Sequence, residues 1–277
     1  MLFEIAPRPP LASLQPAPRP LSSLPPGLWA ALGLIALYFA LQALASTTIA
    51  LLIGALTGFV HLRQGVSQVN AEVQALLQQP GMPAVMVMLT LGIAASLVLW
   101  LAYRRWPGLW SQAAPPGFGF VAPARPLFFA LAVGVGLTAP VLGSWLTELL
   151  AHGHRVTQDI QQLGAGTPRA LRIPLVLIVV SLGPWVEELL FRGVLLSALL
   201  QRWRTGWAVL LSSLVFALVH LPGLQFHWYA LPDLLLLALM LAWLRLRSGS
   251  IWPAVLAHGV NNLLAVAAWF VAASVAG

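Results

Sequence analysis

Seven runs of apolar residues constrain this chain more than any single motif does. They are Leu28–Val60, Met82–Tyr103, Pro126–Leu150, Ile173–Leu200, Thr205–Leu221, Ala230–Leu244 and Ser250–Ala273. A helix needs about 20 residues to cross the hydrocarbon core of a bilayer, and backbone facing lipid must satisfy its own N–H and C=O groups. Runs of this length and number predict an all-α, polytopic membrane protein with seven or eight transmembrane helices. The first run would make roughly 50 Å of helix, so it must tilt, project or break. The sixth is short for a span, but arginines follow it and a proline precedes it. Composition agrees: 60% of the 277 residues are hydrophobic and 8% are charged, with a mean hydropathy of +0.88. A soluble domain carries about 25% charged residues.

The net charge of +7 is carried by arginine, because the chain has no lysine. Arginines beside spans set topology, so the basic balance implies no nucleic-acid partner. With the amino terminus in the cytoplasm, Arg8, Arg19, Arg104, Arg105, Arg125, Arg202, Arg204, Arg245 and Arg247 lie inside. Only Arg63, Arg155, Arg169 and Arg172 then lie outside. That bias sets the expected orientation. Trp29, Trp106, Trp110, Trp203, Trp207 and Trp252 fall near span ends, where indole rings anchor at the headgroups. The absence of cysteine excludes disulfides, thiolate metal sites and cysteine nucleophiles. Heavy Ala, Leu, Arg and Trp usage without Lys suggests a GC-rich bacterial genome, hence a bacterial inner (cell) membrane.

Residues 1–27 hold eight prolines and read as a disordered cytoplasmic tail. Membrane helices are expected over 28–150 and a second set, carrying the chemistry, over 171–275. Two connecting segments are amphipathic, with Val66, Val69, Val73 and Leu76 at helical spacing in one and Val156, Ile160 and Leu163 in the other. Both are expected as short interfacial helices.

Against this background the stretch P-W-V-E-E-L-L-F-R-G, positions 184 to 193, stands out. A charge at the bilayer centre costs on the order of 2.5–3.5 kcal/mol, and this run holds three. The fifth run ends in F-A-L-V-H, with Phe216 and His220, and the last contains H-G-V-N-N, with His258, Asn261 and Asn262. At 1.5 Å per residue, Glu187 stands about 20 Å above the cytoplasmic end of its helix, His220 about 22 Å, His258 about 12 Å and Asn262 about 18 Å. Polar groups from three helices thus fall in one layer. Glu188 and Arg192 are four apart and share a face, so they can pair. Glu187 then points about 100° away, free to act as a general base. His258 and Asn262 also share a face, from which their N–H groups can reach one developing oxyanion.

E-E-x-x-x-R, F-x-x-x-H and H-x-x-x-N, in that order on successive membrane helices, resemble the CPBP family of intramembrane proteases, which includes the CAAX prenyl endopeptidases and bacterial relatives. The resemblance runs from about Ile173 to the carboxyl terminus, and nothing in the first three runs is diagnostic. It implies an endopeptidase acting on a membrane-associated peptide or protein substrate within the lipid bilayer. Glu187 and His220 would activate a water, and His258 and Asn262 would stabilise the oxyanion. Glu188 and Arg192 would hold the site in shape, with Glu188 also near the water, and Phe216 would shape the pocket. Nothing in the sequence indicates a prenylated substrate. No cofactor is required by this reading. The alternative is a divalent metal such as zinc on Glu187, His220 and His258, although H-E-x-x-H is missing. Two further functions stay open: an ion-coupled transporter, for which repeats and interrupted helices are not evident, and a non-catalytic membrane scaffold using the same cavity.

The other polar residues read more plainly. Asn261 is expected as packing or hydrogen-bond glue, and His61 and His227 as interfacial. His152 and His154 flank an outer-loop glycine. Asp233 caps its helix or lines an entrance, and Glu148 is solvated. Gly134, Gly136 and Gly193 are expected to permit close helix packing.

Overall fold

The computed structural model describes residues 24–61, 65–152, 163–164 and 166–275, with side chains through 267. All regular structure among them is helical. We number the helices α1 (Leu28–Val60), α2 (Val66–Leu77), α3 (Met82–Arg105), α4 (Leu127–Ala151), α5 (Arg169–Leu200), α6 (Thr205–Val219), α7 (Leu231–Ser248) and α8 (Trp252–Val275). Five helical stretches are long and apolar enough to cross a membrane: α1, α3, α4, α5 and Trp228–Ser248, which contains α7. Helix α6 is apolar but shorter. By length and composition the chain is an integral membrane protein.

Each predicted apolar run has a helix, with ends shifted by a few residues. The fourth run starts earlier, at Arg169, where Pro168 supplies the extended residue before the helix. The fifth ends at Val219, not Leu221, because Pro222 bars the chain from continuing. His220 therefore sits at the helix cap rather than inside the span. The first amphipathic loop does fold, as α2, while Val156, Ile160 and His154 lie outside the described residues, as does most of the proline-rich tail. Helix α1 is unbroken over its 33 residues, and its distal half is largely exposed.

Helix α5 is not regular. It widens into π-helix at Ile178–Leu182 and again at Leu189–Leu195. Gly183 donates its N–H five residues back, to Ile178 O, and the next residue, Pro184, has no N–H to give. Leu196 likewise bonds back five residues to Phe191 O. π-Turns of this kind are rare and concentrate at functional sites. Between and below them the helix is enclosed: every residue from Glu188 to Leu199 is buried.

The arginine-rich ends of the helices gather on one face, under a loop that joins α3 to α4. Arg245, buried at the end of α7, donates to Ala113 O at 2.8 Å and to Gly117 O at 2.7 Å. Ser250 Oγ donates to Val121 O at 2.6 Å, and Ala124 N–H bonds Ser248 O at 2.8 Å. Gly119 has φ of 80° and a Cβ there would lie 2.6 Å from Arg245 Cζ, so this turn accepts only glycine without strain. Phe118 is buried under the loop, edge-on to Trp106 and Trp110. On the same face, Gln201 Nε2 ties the end of α5 to Pro26 O before α1 at 3.0 Å.

Close helix packing depends on one expected glycine and one unexpected one. A Cβ on Gly136 of α4 would stand 2.6 Å from Ala257 O of α8, as anticipated, whereas one on Gly193 would press only Leu189 of its own helix at 3.2 Å and Phe118 of the loop at 3.5 Å. Gly134 has nothing within 4 Å, so close packing does not explain it. Gly259 of α8, unremarked in the sequence, faces Val180 O, which a Cβ would approach to 2.6 Å.

Candidate active site

The polar residues of α5, α6 and α8 meet at one point. Arg192 Nη1 donates to Glu188 Oε1 at 2.8 Å, the pair expected from their spacing, and both side chains are fully buried. Arg192 Nη2 donates to Ala238 O of α7 at 3.0 Å, and the guanidinium lies 4.5 Å above the Phe216 ring. A buried guanidinium thus has a carboxylate, a carbonyl and an aromatic face around it, which offsets much of its desolvation. Phe216 also packs edge-on against Phe191 and His258.

The histidines are oriented by acceptors. His220 Nδ1 lies 2.7 Å from Phe216 O; a carbonyl only accepts, so Nδ1 carries the hydrogen. His258 Nδ1 lies 3.0 Å from Glu188 Oε1, which already accepts from Arg192, so this nitrogen also donates. Both rings then present Nε2 to the same atom, Glu187 Oε2, at 3.5 Å from His220 and 3.9 Å from His258. Glu187 does not point away from this group. Helix α8 reaches both carboxylates with one ring, His258, using its two nitrogens.

Asn262 is placed beside them but is partly engaged. Its Nδ2 donates to Val179 O at 3.1 Å. That carbonyl lies in the first π-turn: Gly183 N–H goes to Ile178, and Pro184 offers none, so the side chain supplies the missing donor. One carboxamide hydrogen remains. Asn261 donates weakly to Asn262 Oδ1 at 3.4 Å, consistent with a local bridging role.

These groups line a cavity of about 930 Å³. Glu187, His220, His258 and Asn262 line it together with Asp233, Glu148, Ser144 and Gln42. Asp233 is in the first turn of α7 without a capping bond, so of the two expected roles it takes the lining one. It packs on bare α4 backbone at Gly143, where any Cβ would overlap its carboxylate. Tyr38 of α1 also lines the cavity, and its hydroxyl is buried without a partner, as is Glu188 Oε2. Sequence reasoning missed Tyr38, although a lone phenol in an apolar run is a signal. It also missed the Val179 carbonyl, for which Pro184 was the available clue.

The remaining histidines stand apart. His61 pairs with Glu72 at 3.1 Å, His227 Nδ1 bonds Leu224 O at 2.9 Å, and His152 ends α4 with φ of 46°. Among the described residues no group of three or more His, Cys, Asp or Glu side chains has the arrangement of a metal site. Glu187, His220 and His258 do converge, with Glu187 Oε2 3.5 Å from one ring and 3.9 Å from the other, against about 3.4 Å between two ligands of a tetrahedral zinc ion.

Residues 169–264, which contain every motif residue of the site, match the family model of Rce1-like type II CAAX prenyl endopeptidases. A protein of Bacillus subtilis (strain 168) described as "Putative membrane peptidase YdiL" is 35% identical over 98 residues, 34% of this chain. The match covers 37% of that relative's length. No solved structure matches the chain. The resemblance to the CPBP proteases thus stands over the helices α5 to α8.

Proposed function

We propose that this chain is an intramembrane endopeptidase that hydrolyses a peptide bond of a membrane-associated substrate. One observation carries the reading: two imidazoles with fixed Nδ1–H groups turn Nε2 toward one oxygen of Glu187. A water held there is flanked by acceptors and has its own lone pair free toward the cavity. As the water oxygen bonds to the scissile carbonyl carbon, Glu187 takes one of its protons, with His220 accepting the other hydrogen bond. The C–N bond then breaks, and the proton on Glu187 passes to the leaving nitrogen, giving an amine and a carboxyl terminus.

The oxyanion needs donors. Asn262 retains one N–H for it. His258 would turn its Nε2 edge to the same oxyanion, its Nδ1–H being committed to Glu188. Glu188 and Arg192 are positioning residues, since they fix the ring of His258 and the helix that presents Glu187. The reading routes no step through a metal.

The seven apolar helices would all cross the membrane, with α6 and α8 completing the set and the amino terminus in the cytoplasm of a bacterial inner membrane. Residues 171–275 would be the catalytic unit, and 28–150 would wall the cavity. The test compares new carboxyl termini in the membrane proteome of cells making the wild type or Glu187→Gln. Termini that appear with the wild type and vanish with the inserted, folded variant support hydrolysis. Identical termini, or full complementation by the variant, would favour a scaffold.

A further inference from the structure

We infer that the mouth of the site lies toward the extracytoplasmic face, so that its substrate is a peptide segment presented from outside or from the outer leaflet. The inference deepens the proposed function and rests on the cytoplasmic assignment of the arginine-rich face. Toward that face, Glu187 is followed by twelve consecutive buried residues, Glu188 to Leu199, about 18 Å of solid packing. The loop over α3 and α4 closes the same end, held by the buried Arg245 on Ala113 O and Gly117 O.

Toward the opposite face the arrangement is reversed. The cavity that contains Glu187 is bordered by Ser144 and Glu148 of α4 and by Asp233 at the start of α7. Ser144 stands seventeen residues along α4 from Leu127, about 26 Å from the arginine-rich end, and Glu148 about 32 Å. The core is about 30 Å thick, so this mouth lies at the outer headgroups. Glu187, about 20 Å up, is within reach of a chain entering there by a few extended residues. A second cavity of about 700 Å³ runs between α5 and α8 past Phe129 of α4, from Trp252 as far as Leu263 and Val180. Apart from Ser181 its lining is apolar; it contains no titratable group and does not include Glu187.

A chain with no native cysteine gives a direct test. Ser144→Cys and Ser111→Cys are near-isosteric changes at exposed residues of the cavity mouth and of the opposite face. Spheroplasts making either variant are treated with a membrane-impermeant maleimide, before and after permeabilisation. The expected result is full labelling of Ser144→Cys in intact spheroplasts and of Ser111→Cys only after permeabilisation. Any other pattern overturns the inference: the reverse, both labelled, or neither labelled in intact cells. Labelling needs no turnover, so this result and the Glu187→Gln comparison can fail independently.

Discussion

The Glu188–Arg192 pair allows a quantitative test of how the site holds its shape. Replacing Arg192 by Met keeps the volume roughly constant but leaves a carboxylate with no cation in a fully buried position. Breaking a buried pair from one side costs about 3–5 kcal/mol. The bond to Ala238 O and the contact with Phe216 disappear with it, so the cost should lie toward the upper end. Glu188→Gln alone strands the guanidinium and should cost a similar amount. The double variant strands neither charge, and the amide oxygen still accepts from His258 Nδ1. Its destabilisation should therefore fall short of the sum by at least about 3 kcal/mol. Unfolding in mixed micelles with rising denaturing detergent, followed through the native tryptophans, measures all three. Additivity within about 0.5 kcal/mol would show that the two charges do not depend on each other, and would remove the positioning role assigned to them.

Three other outcomes are expected. Asn262→Leu should destabilise by about 1–3 kcal/mol, because it orphans the Val179 carbonyl; the same unfolding assay reads it, and no loss would mean that the π-turn is satisfied otherwise. Gly259→Ala should cost about 1–3 kcal/mol through contact with Val180 O, whereas Gly134→Ala, with open space around it, should gain up to about 1 kcal/mol. Chelation with EDTA should leave turnover unchanged, and activity lost to EDTA and regained with zinc would transfer the mechanism to a metal on Glu187, His220 and His258.

The apolar runs made the helices legible because bilayer thickness and backbone pairing leave few options. The site was legible too, because spacing of four on a helix put Glu188 with Arg192 and because depth along the normal brought His220 and His258 to the level of Glu187. What the sequence hid was irregular backbone. Helical spacing of 100° per residue assumes a uniform helix, and α5 has two π-turns on either side of the glutamates. Within the α-helical turn between them the two glutamates keep their ordinary phase, yet both carboxylates reach His258 through its two nitrogens, so the division into a paired glutamate and a free one is incomplete. The use of Asn262 was hidden by the irregular backbone, since only the released Val179 carbonyl explains it. The wall contributed by α1 depends on a tertiary contact that no local pattern around Tyr38 encodes.

The arrangement of the two rings makes a last prediction that does not depend on turnover. Phe216 O can only accept, and Glu188 Oε1 accepts from Arg192, so both Nδ1 atoms must bear hydrogen. If both rings were neutral, two Nε2 lone pairs would face a Glu187 oxygen at 3.5 and 3.9 Å with no hydrogen among them. Like partial charges that close in low dielectric repel, and a proton or a water must lie between them. Nitrogen-15 spectra of histidine-labelled protein, assigned through His220→Gln and His258→Gln, distinguish the tautomers. Protonated Nδ1 on both rings, with a hydrogen-bonded Nε2 on each, is the expected result. A bare Nδ1 on either ring would mean that its acceptor is not where the structure puts it, and the water site between the Nε2 atoms would lose its basis.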